Sequence, residues 1–238
     1  MATTLRLGAI TVDVVKKDIK NIHLSVHPPA GKVTISAPLR MKLDTIRVFA
    51  VSKLTWIKEQ QRKITGQERE TPRSYSERES HYLWGKRYLL KVVEKDEPPQ
   101  IEIRPNRIVF QVRPSWTSER KQEFLDAWYR AELRRAVPDL LAKWEPVLGV
   151  KVDRVFVQRM RTKWGSCSRT SAAIRLNTDL AKKPPECLEY IVVHEMSHLI
   201  EPTHNNRFIA LMDRLMPNWR FYRQLLNRLP VRHEDWAY

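Results

Sequence analysis

The first part of the chain alternates hydrophobic and polar residues as β-strands do. In NIHLSVHPPAGKVTISAP, which covers residues 21–38, apolar residues occupy every second position on both sides of a Pro-Pro-Ala-Gly segment. Period-two alternation around a turn signal predicts a β-hairpin. Shorter apolar runs at 88–95, 101–103 and 107–112 are separated by the segments DEPP and RPN, and they predict three more strands.

A helical period follows the hairpin over residues 43–64. Apolar residues recur there three and four positions apart, at Ile46, Phe49, Ala50, Leu54 and Ile57. Asp44 is a suitable N-cap residue, so we predict one helix that begins at this point. The polar segment ETPRSYSERES that comes next is typical of a loop.

A second helical stretch reads SWTSERKQEFLDAWYRAELRRAVPDLLAKWEPVLG. Its apolar spacing predicts a long helix that Thr117 or Ser118 caps and Gly149 ends. Pro138 lies inside this stretch. We expect it to kink or divide the helix, because the proline ring removes a backbone donor.

Two further strands lead into a strongly apolar helix. The strands are predicted at 155–160 and 172–177, and the segment RTKWGSCSRTS joins them, with Gly165 at the expected turn. The sequence PPECLEYIVVHEMSHLI then begins with two prolines, which a helix start tolerates. Its apolar residues fall on several sides, so we predict a helix that is buried nearly all round.

Together these elements predict an α+β protein. We expect a strand-rich N-terminal part with one helix over residues 1–115 and a catalytic α+β part over residues 116–238, although the two could form one continuous domain. The chain has 238 residues, 42% of them hydrophobic, which is enough for a packed core. No internal repeat is evident in the sequence.

The apolar helix carries the pattern His-Glu-x-x-His. His194 and His198 are four residues apart, so both rings lie on one helix face about 6 Å apart along the axis. Two imidazoles placed in this way can bind one metal ion. Glu195 leaves the helix about 100° round from His194, where it can reach a metal-activated water as a general base without binding the ion itself.

A catalytic zinc ion usually has three protein ligands. Pro202 should end the helix, and a turn through Glu-Pro-Thr can bring His204 back towards the ion. Glu201 and Asp213 are weaker candidates for the third ligand. Three histidines with one open position favour zinc, while manganese and iron stay open as alternatives.

Charge and cysteine content change this interpretation little. The net charge of +16 favours contact with polyanions such as nucleic acid or nucleotides. Cys167 and Cys187 are not a close pair, so we expect two ordinary thiols. No apolar run approaches the roughly 18 residues that span a bilayer, and the N-terminus lacks a signal-peptide pattern. These features predict a cytoplasmic protein that has no membrane partner, and they leave the oligomeric state open.

Several segments resemble the YgjP-like metal-dependent hydrolases, a zincin-type family related to SprT-like and WLM metallopeptidase domains. They are RMRTKWGSCSR, IRLN, YIVVHEMSHLIEPTHNNRF and LMPNW, with weaker likeness in ISAPLR, KLTWIKEQ and YLWGKRYLLKV. The resemblance implies a zincin-like catalytic part with a buried HExxH helix and an adjacent antiparallel edge strand. It also implies His194, His198 and His204 as Zn²⁺ ligands and Glu195 as catalytic base. Members often carry a further histidine where this chain has Glu201, so no ligand role is implied there.

Members of that family are described both as metallopeptidases and as nucleoside-triphosphate pyrophosphatases. We expect a zinc metallopeptidase whose peptide substrate lies along the strand AAIRLN. Its contacts are expected to come from a few residues near that strand and one near the C-terminus: Arg161, Trp164, Gly165, Arg175 and His233. One alternative is a pyrophosphatase whose phosphates are held by basic residues, namely Arg161, Lys163, Arg169 and Arg175. A second alternative is a nucleic-acid-binding protein with a structural zinc.

Overall fold

The computed structural model describes residues 2–27, 30–66, 70, 73–160 and 163–230, and it is a mixed α+β protein. It divides into two compact units, and the boundary lies at residue 70. The sequence suggested a division at residue 115 instead. The difference arises because the strands of residues 80–112 share a hydrophobic core with the helices that follow them.

The first unit is a four-stranded sheet with two helices. Its strands are β1 Ala2–Leu7, β2 Ile10–Lys17, β3 His23–His27 and β4 Lys32–Pro38, in the order β1-β2-β4-β3. Strands β3 and β4 form the predicted antiparallel hairpin. The buried face of the sheet packs against two helices, α1 Leu43–Ser52 and α2 Leu54–Thr65.

The predicted helix over residues 43–64 is therefore wrong in two details. It is divided at Lys53, which forms the C-cap of α1 and the N-cap of α2. Asp44 is not the N-cap, since Lys42 holds that position and Asp44 lies in the first turn of α1. A carboxylate in the first turn still interacts favourably with the helix dipole.

The second unit begins with another four-stranded sheet. Its strands are β5 Ser80–Leu83, β6 Lys86–Glu94, β7 Gln100–Arg104 and β8 Arg107–Val112, in the order β5-β6-β8-β7. The three strands expected from apolar runs at 88–95, 101–103 and 107–112 are thus confirmed. Leu90, Ile108 and Phe110 are fully buried and belong to the core of this unit.

The two four-stranded sheets repeat one topology, which the sequence did not reveal. In each sheet the first two strands are antiparallel, the second and fourth are parallel, and the third and fourth are antiparallel. The related segments DVVKKD at 13–18 and KVVEKD at 91–96 both contribute to the second strand. The expectation of no internal repeat is therefore corrected. The repeat is hard to see in the sequence, because two strands with the same place in a sheet need the same pattern of buried positions and do not need the same residues.

A single long helix, α3 Ser118–Leu148, follows the second sheet. The Thr117 hydroxyl accepts a hydrogen bond from the amide of Arg120, and Gly149 ends the helix with a φ of 67°. Both predicted end residues are confirmed. The helix is not divided at Pro138, because the exposed proline lies between helical turns that are anchored by the buried side chains of Leu133 and Trp144.

The third sheet has three strands, β9 Arg154–Gln158, β10 Gly165–Ser168 and β11 Ala173–Asn177. Their order is β10-β11-β9, with β10 antiparallel and β9 parallel to β11. The sequence predicted β9 and β11 but took β10 for part of a loop with Gly165 at its turn. It also expected the strand AAIRLN at the edge, whereas that strand is central and β10 forms the edge.

Three helices complete the unit: α4 Pro185–Ile200, α5 Asn206–Leu215 and α6 Trp219–Arg228. Helix α4 is buried on most sides, as predicted. It ends at Glu201, immediately before Pro202, and Asn205 caps α5 by accepting a hydrogen bond from the amide of Phe208. Among the described residues, no helix has both the length and the apolar character that a bilayer crossing requires.

Candidate metal centre

Three histidine side chains converge at the end of α4. His194 and His198 project from the same face of this helix, and the turn through Pro202 places His204 beside them. One nitrogen of each ring lies within 4.8 Å of the corresponding nitrogens of the other two. The Nε2 atoms of His194 and His204 are 3.0 Å apart. The chain therefore brings together the three histidines that the sequence singled out.

Two observations show that the three histidines are suitably arranged to bind a metal ion. Ligand atoms around a tetrahedral zinc ion lie about 3.3 Å from one another, which is close to the spacing of the His194 and His204 nitrogens. The Nδ1 atom of His198 lies 3.0 Å from the carbonyl oxygen of Glu201, so that Nδ1–H can donate to it and leave Nε2 free for a ligand bond. His194 Nδ1 is buried and has no hydrogen-bond partner among the described residues.

Burial keeps two of these imidazoles in the neutral form that binds metals. It lowers the pKa of His194 to about 3, and the neighbouring positive charges of His198, His204 and Arg223 act in the same direction. Burial also lowers the pKa of His204, again with help from His198 and Arg223. Only the neutral form of imidazole binds a metal ion, so an environment that disfavours protonation of these rings favours metal binding.

Phe208 supports all three histidines, a role that the sequence did not suggest. Its ring centroid lies 5.0 Å from that of His194, 4.7 Å from that of His198 and 4.8 Å from that of His204. The spacing of residues in α5 predicted only a core position, and Phe208 is indeed buried. The apolar ring fills the space behind the imidazoles and restricts their orientation.

Glu195 lies beside the histidines and against β10. Burial raises the pKa of its carboxyl group to about 7, while the positive charge of Lys163 opposes the shift. A methyl group added at Gly165 would lie 2.6 Å from Glu195 Oε1 and 2.9 Å from Ile191 Cγ2. Only a residue without a side chain therefore allows the backbone of β10 to approach Glu195 this closely.

An open cleft of about 730 Å³ contains the histidines and Glu195. One side is formed by β10, with Gly165 and Cys167, and the other by α6, with Trp219 and Arg223. The lining of the cleft therefore includes a carboxylate next to β10 and a guanidinium on α6.

Strand β10 presents free main-chain groups along its outer edge. The carbonyl oxygen of Trp164 accepts a hydrogen bond of 2.9 Å from the amide of Asn177, which lies opposite it, one step beyond the Gly165–Leu176 pair. Hydrogen-bonded and non-hydrogen-bonded pairs alternate in antiparallel strands. The N–H and C=O groups of Gly165 and Cys167 therefore point away from β11. No strand pairs with this edge in the described part of the chain.

The expected substrate contacts have mixed outcomes. Trp164 and Gly165 line the cleft, as do Lys163 and Arg169. Arg175 does not line it. Arg175 lies on β11, the central strand of its sheet, and its guanidinium is 5.5 Å from the ring centroid of Phe156 on β9. The other two expected contacts, Arg161 and His233, lie outside the described residues.

Neither weaker ligand candidate contributes a side chain to the cluster. Glu201 accepts a hydrogen bond from the Thr203 hydroxyl at 3.4 Å. Asp213 accepts one from Trp219 Nε1 at 2.7 Å and pairs with Arg220. Both carboxylates are therefore engaged in local structure, and the three imidazoles form the candidate ligand set.

The chain is similar to known metallopeptidases. Two solved structures that it resembles are the metallopeptidase zymogen of Pyrococcus abyssi abylysin, with 23% identity, and that of Methanocaldococcus jannaschii jannalysin, with 19%. The matches cover 40% and 38% of this chain, 99% and 92% of theirs, with TM-scores of 0.35 and 0.34. No curated protein gives a significant match. The model of the YgjP-like metallopeptidase domain matches residues 20–229. The chain therefore belongs to the YgjP-like family of metal-dependent hydrolases.

Proposed function

We propose that this protein is a zinc-dependent metallopeptidase. In this proposal His194, His198 and His204 hold the zinc ion, and Glu195 is the general base that activates a water molecule. One observation carries the proposal: three imidazole nitrogens converge beside a buried carboxylate, at the open edge of a strand. Membership of a metallopeptidase family supports it.

The donor set favours zinc over other divalent ions. Three neutral imidazoles without a carboxylate ligand suit zinc better than magnesium, calcium or manganese, which prefer oxygen ligands. When bound, a zinc ion with one open position lowers the pKa of its water towards about 7 and polarises the carbonyl group under attack.

Glu195 performs the proton transfers in this proposal. Its carboxylate accepts a proton from the attacking water and then passes that proton to the nitrogen of the leaving amine. Burial raises the pKa of Glu195 to about 7 before a metal ion binds, and a bound cation would lower it again, so the carboxylate would be ionised and able to act as a base in the loaded site. The close backbone of Gly165 holds the carboxylate on the β10 side of the cleft.

The edge of β10 favours a peptide substrate. An extended peptide can add to this edge as a further strand, with main-chain hydrogen bonds to Gly165 and Cys167. Because Gly165 also contacts Glu195, the peptide bond that pairs beside Gly165 lies next to the proposed base. This geometry links substrate alignment to chemistry through a single residue.

Hydrolysis of a nucleoside triphosphate is the second candidate. Lys163 and Arg169 line the cleft and could contact phosphates, which favours it. Arg175, the third described residue of the proposed phosphate contacts, does not line the cleft, which weakens it. The sequence also lacks a glycine-rich phosphate-binding loop.

One experiment separates these functions. Zinc-loaded protein is incubated with unfolded casein and, in parallel, with nucleoside triphosphates, for the wild type, Glu195→Gln and Glu189→Gln. Glu189 is the matched control on the same helix, where it bonds to Trp144 Nε1 and Lys143 away from the cleft. We expect Glu195→Gln to lower peptide hydrolysis about 10³-fold and to retain one zinc per chain.

The control should keep wild-type activity. Pyrophosphate release that is abolished in Glu195→Gln, without any peptide cleavage by the wild type, would establish the nucleotide function instead. Retention of zinc with no hydrolytic activity on either substrate class would point to a structural zinc.

A further inference from the structure

The α6 side of the cleft contains a tyrosine with an unusual environment. Tyr190 is on α4, one turn before His194. Its ring stacks on Trp219 with a centroid distance of 6.4 Å and meets the His194 ring edge-on at 5.8 Å. Only 4% of the residue is exposed. The ring is therefore fixed between the candidate metal ligands and α6.

The hydroxyl group of Tyr190 donates to no protein group in the described residues. Tyr190 lines the open cleft beside the histidines. The buried Tyr129 behaves differently, since its hydroxyl donates to the carbonyl oxygen of Tyr82 at 2.9 Å. A fixed donor with no protein acceptor is available to a ligand in the cleft.

Arg223 adds positive charge on the same side. It lines the cleft, and its guanidinium lies 6.0 Å from the ring centroid of Trp219. No carboxylate pairs with it within the described chain, whereas the neighbouring Arg220 pairs with Asp213. The guanidinium can therefore interact with a negative charge that arises in the cleft.

The base and these two groups face the metal cluster from different directions. Glu195 follows Tyr190 by five residues, which places it about 140° round the helix. Glu195 contacts β10, while Tyr190 contacts α6. A carbonyl group held between them would receive the water from one side and present its oxygen to the other.

We propose that the Tyr190 hydroxyl donates a hydrogen bond to the carbonyl oxygen of the scissile bond, and that Arg223 supplies positive charge beside it. This inference rests on the proposed peptidase function. As the water oxygen bonds to the carbonyl carbon, the π-electron pair moves onto the carbonyl oxygen, and the hydrogen bond from Tyr190 strengthens. Tyr190 keeps its proton throughout, while Glu195 takes the proton of the water.

The test is Tyr190→Phe, which removes the hydroxyl and keeps the ring between Trp219 and His194. Tyr222→Phe is the matched control, because Tyr222 is half-buried on α6 and does not line the cleft. We expect kcat of Tyr190→Phe to fall about 10²- to 10³-fold, the usual cost of one lost donor to such an oxygen. KM should change less than about threefold, and zinc content should stay at one per chain.

A binding measurement provides a second readout. A peptide phosphonate of the cleaved sequence carries a tetrahedral anion, and calorimetry should show that it binds Tyr190→Phe about 100-fold more weakly than the wild type. A peptide of the same sequence with a methylene in place of the carbonyl should bind both proteins equally. Arg223→Gln, at an exposed position, should lower kcat/KM about tenfold and weaken only the phosphonate.

Three results would overturn the inference. Unchanged kcat and phosphonate affinity in Tyr190→Phe would show that the hydroxyl has no part in the reaction. Equal weakening of both peptides would show a role in packing alone. A wild type that cleaves no peptide would refute the proposed function and this inference with it, whereas an active wild type with an equally active variant would refute this inference only.

Discussion

The contact between Gly165 and Glu195 allows one substitution to be worked through in detail. Gly165→Ala adds a methyl group that would lie 2.6 Å from Oε1 and 2.8 Å from Cγ of Glu195, and 2.9 Å from Cγ2 of Ile191. Carbon atoms in favourable contact lie about 3.5–4.0 Å apart, so the overlap with each of these two carbon atoms is at least about 0.6 Å. Glu195 and Ile191 are both only 5% exposed but line the open cleft, so the overlap can be relieved only if these side chains move towards the cleft.

The direction of the change in unfolding free energy shows whether the steric overlap or the backbone entropy of glycine dominates in Gly165→Ala. Gly165 does not have a positive φ, and without the overlap alanine would stabilise the protein by about 0.4–1 kcal/mol. Overpacking of this kind instead costs about 1–3 kcal/mol in the free energy of unfolding. If the carboxylate moves by about 1 Å to relieve the overlap, the rate falls about 10²-fold.

The assay combines urea unfolding with peptide hydrolysis on zinc-loaded protein. We expect Gly165→Ala to lower the free energy of unfolding by about 1–3 kcal/mol and kcat/KM by about 10²-fold, with zinc content unchanged. Ser168→Ala is the control, because Ser168 lies on the same strand and does not line the cleft. It should change either quantity little.

A double-mutant cycle isolates the contact. Glu195→Asp shortens the side chain by one methylene, so Gly165→Ala should cost less unfolding free energy in that background than in the wild type. An equal loss of unfolding free energy in both backgrounds would mean that the new methyl group does not overlap with the Glu195 side chain. A Gly165→Ala variant that is more stable than the wild type and fully active would refute the reasoning altogether.

Three further predictions concern the ligands, the core and the long helix. Phe208→Leu removes the ring that contacts all three histidines, so zinc affinity measured by competition with a chelating dye should fall about tenfold. Burial lowers the pKa of His81 below its ordinary 6.5, so neutral His81 stabilises the fold above pH 6.5. That stability is lost as the pH falls below 6.5, and the urea midpoint of the wild type should drop more between pH 7.5 and 5.5 than that of His81→Phe. Pro138→Ala restores a backbone donor in an exposed part of α3 and should raise the free energy of unfolding by at least about 1 kcal/mol, as measured by urea titration.

Local patterns in the sequence predicted the parts of the site that one helix holds. Four-residue spacing placed His194 and His198 on one face, and Pro202 correctly marked the end of α4. Capping by Thr117 and termination by Gly149 were also predicted, because each depends only on nearby backbone groups. Such features follow from a few consecutive residues.

Features that depend on distant parts of the chain were missed. Strand β10 contains only Gly-Ser-Cys-Ser, which has little β-propensity, and its pairing with β11 decides that it is a strand. The contact of Phe208 with the histidines depends on how α5 packs against α4. Tyr190 and Arg223 face one cleft only because α6 folds back on α4, which no spacing in the sequence reveals.

The shortness of β10 has a consequence for selectivity. Only two of its residues offer outward main-chain groups, and those groups are the same for every amino acid that a partner chain presents. Recognition by so few anchors would depend on whether a polypeptide can extend locally, and hardly on which side chains it carries. Native globular proteins would then resist digestion, while denatured or frayed segments would be cut at several neighbouring bonds and give ragged ends.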